Sequence, residues 1–381
     1  MRFEFATAGR IVFGPGAIAE LPAIAAAYGK RALVVTGRDK IRHAGAIDSL
    51  EVAGFHCTLF GVPGEPTLQL VREGAAALKS AASNVVIAIG GGSALDAGKA
   101  IATLGANPSD VLEYIEVIGK ARPLDCAPCP FIAVPTTAGT GSEVTRNAVI
   151  GSPEHGVKAS LRSASMLPRV AIVDPDLTLG LPPAITASTG LDALTQLIEP
   201  YVCSRANPFV DALCRDGLRT VARNLERAYT NGRDARARAG MSYASLLGGL
   251  ALANAGLGVV HGFAAPIGGM FDTPHGAICA AILPHGMQAN IRALRARAPE
   301  SAALIRYAEI AEILTERPGA TPEDGVEWVW GVVQRLATPP LQVEARRFPE
   351  VVEKAARASS MKANPIPLTC EELTCILTAA T

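Results

Sequence analysis

The chain reads as an α/β domain followed by an all-α domain. Short β-branched runs alternate with helix-forming segments through its first half. The β signals stop after Asp174-Pro175 and Leu181-Pro182-Pro183, and two of the strands run into bends almost devoid of large side chains. Alternation of this kind implies a mostly parallel sheet covered on both faces. The expected division is residues 1–180 for the α/β domain and 181–381 for the helical one.

In chain order, residues 32–36, 56–61, 85–89, 131–134 and 170–173 are short apolar runs bounded by turn residues, and they predict strands. Residues 41–53 and 68–82 lie between them and predict helices. Arg2-Phe3-Glu4-Phe5 and Arg10-Ile11-Val12-Phe13 suggest an edge hairpin able to pair across a homodimer. From residue 184 the pattern is helical, with breaks expected at Asn207-Pro208, Gly232, Gly268-Gly269, Pro274 and Pro284. The longest apolar run, residues 246–260, is interrupted by Asn254 and glycines and is too short to span a bilayer, so it predicts a buried helix. No repeat or low-complexity linker separates the halves, and a ligand cleft between them is expected.

Composition narrows the function. The 381 residues are 49% apolar and 18% charged, and 35 Lys+Arg balance 35 Asp+Glu. Without a basic excess the chain lacks the electrostatic footprint of a nucleic-acid binder. Met1-Arg2-Phe3-Glu4-Phe5 does not read as an export signal, and the eight scattered cysteines read as reduced core thiols, so a cytoplasmic protein is expected. Cys126 and Cys129 form a lone C-x-x-C flanked by prolines and are expected to be incidental.

The most informative stretch is Val85-Val86-Ile87-Ala88-Ile89 running into Gly90-Gly91-Gly92-Ser93, with Asp96 and Lys99 behind. A strand feeding a helix through glycines presents bare amides at a helix N-terminus, a geometry that receives phosphate; it also occurs as an ordinary tight turn. Its spacing is not G-x-G-x-x-G. A second strand, Phe131-Ile132-Ala133-Val134-Pro135, enters Thr136-Thr137-Ala138-Gly139-Thr140-Gly141-Ser142-Glu143, whose small and hydroxyl residues suit close approach to phosphate and ribose oxygens. Two such loops in one α/β unit suggest a pyrophosphate held between them.

In the second half, Asp192 and Gln196 share a helix face at i,i+4. His261 is expected near the end of an apolar helix and His275 at the start of the next. A carboxylate and two imidazoles from separate helices can converge on a divalent cation, although histidines beside glycine also serve as caps or core residues. His285 is expected to be structural, and His43, His56 and His155 to lie at the surface or at strand edges.

Taken together, Gly90-Gly91-Gly92-Ser93-x-x-Asp96-x-x-Lys99, the Pro135–Glu143 run, Asp174-Pro175-Asp176-Leu177, Gly190-Leu191-Asp192-Ala193-Leu194-Thr195 and Phe271-Asp272-Thr273-Pro274-His275-Gly276 resemble the iron-containing (group III) alcohol dehydrogenase family over nearly the whole chain. The resemblance implies the fold that this family shares with dehydroquinate synthase and NAD(P)-dependent interconversion of alcohols and carbonyl compounds. It also implies that Gly91, Gly92, Ser93, Thr136, Thr137, Thr140, Val149 and Lys158 line the cofactor site. Family members hold Fe²⁺ or Zn²⁺ with one aspartate and three histidines. Those positions fall here on Asp192, Gln196, His261 and His275, so one imidazole is replaced by an amide, a weaker ligand that leaves occupancy of the site in question. A further family histidine is replaced by Ala265, which implies a substrate bulkier than ethanol or proton transfer through water. Where many relatives carry an aspartate after the first strand, this chain has Gly37 followed by Arg38, an arrangement that favours NADPH over NADH. Competing expectations are a maleylacetate reductase-like enzyme, with Arg146 holding a carboxylate, and an inactive dinucleotide-binding homologue. A lyase resembling dehydroquinate synthase would need a dense basic patch that the sequence lacks.

Overall fold

A computed structural model describes residues 2–39, 42–271 and 273–381. Ile41, where the first predicted helix was to begin, and Asp272 of the last motif lie outside the described residues. The chain divides into two compact units. One comprises Ala6–Thr137 and Gly141–Thr178; the other comprises Leu179–Thr381, Ala138–Thr140 and the chain up to Phe5.

The first unit is built on eight strands: β1 (Ile11–Phe13), β2 (Arg31–Thr36), β3 (His56–Gly61), β4 (Val85–Gly90), β5 (Phe131–Pro135), β6 (Asn147–Ser152), β7 (Val157–Arg162) and β8 (Val170–Val173). Six form a parallel sheet in the order β1-β8-β5-β4-β2-β3. Its pleat sorts side chains between two cores. Val85, Ile87 and Ile89 enter one cluster with Val34 and Ile132, whereas Val86 and Ala88 enter the other with Leu33, Val35 and Ala133. Burial on both faces explains why the strands read as unbroken apolar runs. The helix Leu68–Ser80 starts at a Thr67 cap and stops short of the expected residue 82, where Ala82 takes a left-handed φ of 44°.

The expected N-terminal hairpin does not form. β1 pairs in parallel with β8, and Phe3 and Phe5 instead place their rings 6.3 and 4.5 Å from that of Phe209, so the strand edge that suggested a homodimer is not built this way. A different hairpin, β6–β7, is antiparallel; the signal for it is the alternation of Lys158-Ala159-Ser160-Leu161-Arg162, whose Ala159 and Leu161 are buried.

That hairpin is pegged to the helix Gly92–Ala106. The buried Lys99 ammonium donates to the Ser142 and Asn147 carbonyls, each at 2.8 Å, and to the Ser142 and Thr145 hydroxyls, each at 3.1 Å. One turn earlier, Asp96 accepts from Ser142 Oγ at 2.6 Å and from the Val149 amide at 3.0 Å. Burial pushes Lys99 down to about 8, with Asp96 and Glu143 opposing that shift. Burial likewise pushes the neighbouring Glu143 carboxyl up to about 7.

The second unit is helical. Asn207 caps Pro208–Thr230 by accepting from the Val210 amide, and Asp234 caps Ala235–Asn254 by accepting from that of Ala237. Two expected breaks are absent: Gly268-Gly269 lies inside Val259–Met270, and Pro284 lies buried inside His275–Arg297. At Pro284 tertiary burial overrides the local penalty. The 246–260 run is not one helix but straddles the junction of Ala235–Asn254 and Val259–Met270, which bend by 96°. Among the described residues no single helix is long and apolar enough to cross a membrane. The cysteines are more varied than expected: Cys203, Cys214 and Cys279 are buried, but Cys126, Cys370 and Cys375 are exposed. His285 packs edge-on at 5.0 Å from Trp330.

Two predictions follow from this packing. A Cβ on Gly98 would lie 2.8 Å from Ala88 Cβ and 3.0 Å from Phe131 Cε2, both in the sheet core. Gly98→Val is therefore expected to lower urea-measured stability by about 1–3 kcal/mol. Glu143 is raised from the usual 4.5 to about 7, so the folded state binds its proton more tightly than the unfolded chain. The stabilisation is full below the unfolded value and is lost as pH rises through about 7. Glu143→Gln should consequently gain stability relative to the parent between mildly acidic and mildly alkaline buffer, and an unchanged difference would contradict the assignment.

Candidate active site

In the α/β unit, β4 delivers Gly90, Gly91 is the N-cap, and Gly92 and Ser93 begin the helix Gly92–Ala106. The first-turn amides precede any intrahelical acceptor and face an anion site in the helix-dipole sense. Glycine is required at position 90, because a Cβ there would sit 2.6 Å from Ala94 Cβ. The two loops meet: a Cβ on Gly91 would contact Thr137 at 3.3 Å, and the Thr136 amide donates to the Gly90 carbonyl at 2.9 Å. Gly37 follows β2 beside this turn, its amide nitrogen 3.6 Å from a Cβ built on Gly90. Arg38 is exposed and donates from Nε to the Pro63 carbonyl.

Val149 and Lys158 share one face of the β6–β7 hairpin, since Lys158 pairs with Gly151, two residues beyond Val149. Lys158 is ion-paired with Glu65. Thr140 falls with the helical unit, where its neighbour Gly139 comes so close to Thr189 that a Cβ would lie 2.6 Å from that residue's Cβ. Both oxygens of Asp96 are occupied by Ser142 and Val149, so it acts within the α/β unit by holding the hairpin.

The helical unit brings together the carboxylate and imidazoles read from the sequence. Asp192, Gln196 and Glu199 occupy one face of the buried helix Pro183–Val202. His261 does not end a helix; it lies in the first turn of Val259–Met270. That start is fixed by Glu199, whose Oε1 accepts from the Val260 amide at 2.7 Å while Oε2 binds His261 Nδ1 at 2.6 Å. The bond turns His261 Nε2 toward Asp192 Oδ1, 3.4 Å away. His275 opens its own helix as expected, and its Nε2 is 3.7 Å from the same oxygen. Gly276 permits this approach, since a Cβ there would strike the Ser188 carbonyl oxygen at 2.4 Å.

Burial lowers the proton affinity of His261, but the Glu199 and Asp192 carboxylates outweigh it and raise the group to about 10. Asp192 itself is held below the usual carboxylate range: burial opposes ionisation, and the two imidazoles prevail. Asp192 Oδ1 and Gln196 Oε1 are nevertheless buried with no hydrogen-bond partner. Orphaned oxygens beside convergent imidazoles are what a divalent cation satisfies, so these residues fit a metal. His275 is 38% exposed whereas Asp192 and His261 are nearly sealed, so the cluster opens on the His275 side.

Two members of this site escaped the sequence reading. Glu199 stands seven residues beyond Asp192 and Cys279 four beyond His275, both spacings that return to the same helix face. Sγ of Cys279, both imidazoles and an Asp192 oxygen lie within 4.8 Å of one another.

Comparison with known proteins agrees with this geometry. The profile of the family "Iron-containing alcohol dehydrogenase" matches residues 8–175, and that of "Fe-containing alcohol dehydrogenase family, C-terminal" matches residues 186–381. The chain is 36% identical to a 1,3-propanediol dehydrogenase of Klebsiella pneumoniae over 379 residues, covering 95% of each chain. It is 36% identical to alcohol dehydrogenase 4 of Saccharomyces cerevisiae over 362 residues, 92% of this chain and 91% of the relative. A crystal structure of a 1,3-propanediol oxidoreductase superposes over the full length of both chains with a TM-score of 0.91 at 34% identity. The chain belongs to the iron-containing alcohol dehydrogenase family.

Proposed function

We propose that this oxidoreductase interconverts an alcohol and its carbonyl compound by hydride exchange with NADPH, using a divalent cation at Asp192, His261 and His275. The observation that carries the reading is the buried Asp192 oxygen, without a close hydrogen bond and flanked by two imidazoles. Asp192, His261 and His275 would hold the cation, which when bound would supply Lewis-acid polarisation of the substrate oxygen, and nicotinamide would supply the hydride chemistry. Glu199 holds the His261 ring by its Nδ1, leaving Nε2 as the ligating atom. The amides of Gly91, Gly92 and Ser93, with Thr136 and Thr137 close by, form the cradle proposed for the pyrophosphate. Thr140, Val149 and Lys158 complete the proposed cofactor contacts. Ala265 carries no titratable group, which supports either a substrate bulkier than ethanol or proton exchange through water near that position.

Preference for NADPH is supported by Gly37 and Arg38. A Cβ on Gly37 would meet nothing within 4 Å, so the backbone there does not itself demand glycine. The absence of a carboxylate there removes a repulsion that a 2′-phosphate would feel, and the exposed Arg38 is the residue proposed to pair with that phosphate. Maleylacetate reductase chemistry and an inactive binding protein are not favoured, because the named relatives are alcohol and propanediol dehydrogenases.

Incubation of the protein with NADPH and a panel of aldehydes, ketones and keto acids should give steady loss of nicotinamide absorbance with aldehydes or ketones. Turnover of keto acids alone would move the assignment to a carboxylated substrate, and binding without turnover would reject it. Gly37→Asp should reduce the NADPH-to-NADH ratio of kcat/KM by roughly tenfold or more, since the added carboxylate faces the phosphate. Glu199→Gln should weaken Zn²⁺ affinity by about 10–100-fold, as measured by competition with a chromophoric chelator.

A further inference from the structure

The Asp192 cluster contains a sulfur that the aspartate-and-three-histidine pattern does not. Cys279 lies one helical turn beyond His275, is buried, and places Sγ 3.7 Å from His275 Nε2. With Asp192 Oδ1 3.4 Å from His261 Nε2 and 3.7 Å from His275 Nε2, three donor–donor separations are defined. In a tetrahedral zinc site, metal–nitrogen distances near 2.1 Å and metal–sulfur distances near 2.3 Å put neighbouring donors roughly 3.4–3.6 Å apart. The three separations lie at or just beyond that spacing, close enough for one ion to draw the donors together.

The donor set also lacks an imidazole that a sulfur can replace. Gln196, at the position where the resemblance implies the third imidazole, supplies only a neutral amide oxygen.

We propose that Cys279, as a thiolate, is the fourth protein ligand of an Asp192–His261–His275–Cys279 site. This replaces the imidazole absent at Gln196 and selects a Zn²⁺-class ion over Fe²⁺, because thiolate is the softer donor. Metal binding then displaces the thiol proton to solvent as the sulfur–metal bond forms. The inference rests on the reading that this cluster holds a divalent cation.

The test is Co²⁺ substitution of the chelator-stripped full-length protein, carried in a background with the exposed Cys126, Cys370 and Cys375 changed to serine. A thiolate ligand gives an intense near-ultraviolet sulfur-to-cobalt charge-transfer band. The expected result is one Co²⁺ per chain with that band, retained in Gln196→Ala and lost in Cys279→Ser. If Cys279→Ser does not fold, the parent spectrum decides alone. Stoichiometric Co²⁺ without the band, or a band that survives in Cys279→Ser, overturns the thiolate ligand while leaving the metal site intact. Failure to bind Co²⁺ at all overturns both.

Discussion

A carboxylate oxygen held away from water needs positive charge nearby, and Asp192 is such a group, with two imidazoles 3.4 and 3.7 Å from its Oδ1. Much of the helical unit's local architecture serves that one requirement. Glu199 fixes the first turn of Val259–Met270 and the orientation of His261 with the same carboxylate. Gly276 lets the helix carrying His275 close on Pro183–Val202 with backbone-level proximity. Replacing either residue alters the site through geometry before it alters any ligand.

The α/β unit answers the same electrostatic problem from within the chain. There the half-buried Asp96 and the buried Glu143 have a resident cation, Lys99, and the ammonium spends its donors on the 142–147 loop and the hairpin's first residue. The peg keeps Val149 in register with the glycine turn. One unit thus carries its counter-ion as a lysine; in the other, the imidazoles that hold Asp192 ionised are also donors suited to an external ion.

Much of this was legible in the residues. β4 and the glycine turn could be read because a doubly buried strand and a side-chain-free bend are local properties of residues 85–93. Asp192 and His275 could be read because helix spacing and Pro274 fix their positions. The start of the His261 helix could not, because its cap is Glu199, remote in sequence. Cys279 resembled any other apolar-flanked thiol until the fold placed it beside His275. The N-terminal hairpin failed for a tertiary reason as well: Phe3 and Phe5 find the Phe209 ring instead of a partner strand.

Thermal unfolding with and without Zn²⁺ tests the electrostatic claim most directly, because it needs neither substrate nor nucleotide. If a cation balances Asp192, the chelator-stripped protein should gain roughly 2.7 kcal/mol at an ion concentration about a hundred times its Kd, seen as a higher Tm. That gain should vanish in Asp192→Asn. A Tm indifferent to Zn²⁺, or a gain undiminished in the variant, would show that the buried carboxylate is balanced by something else.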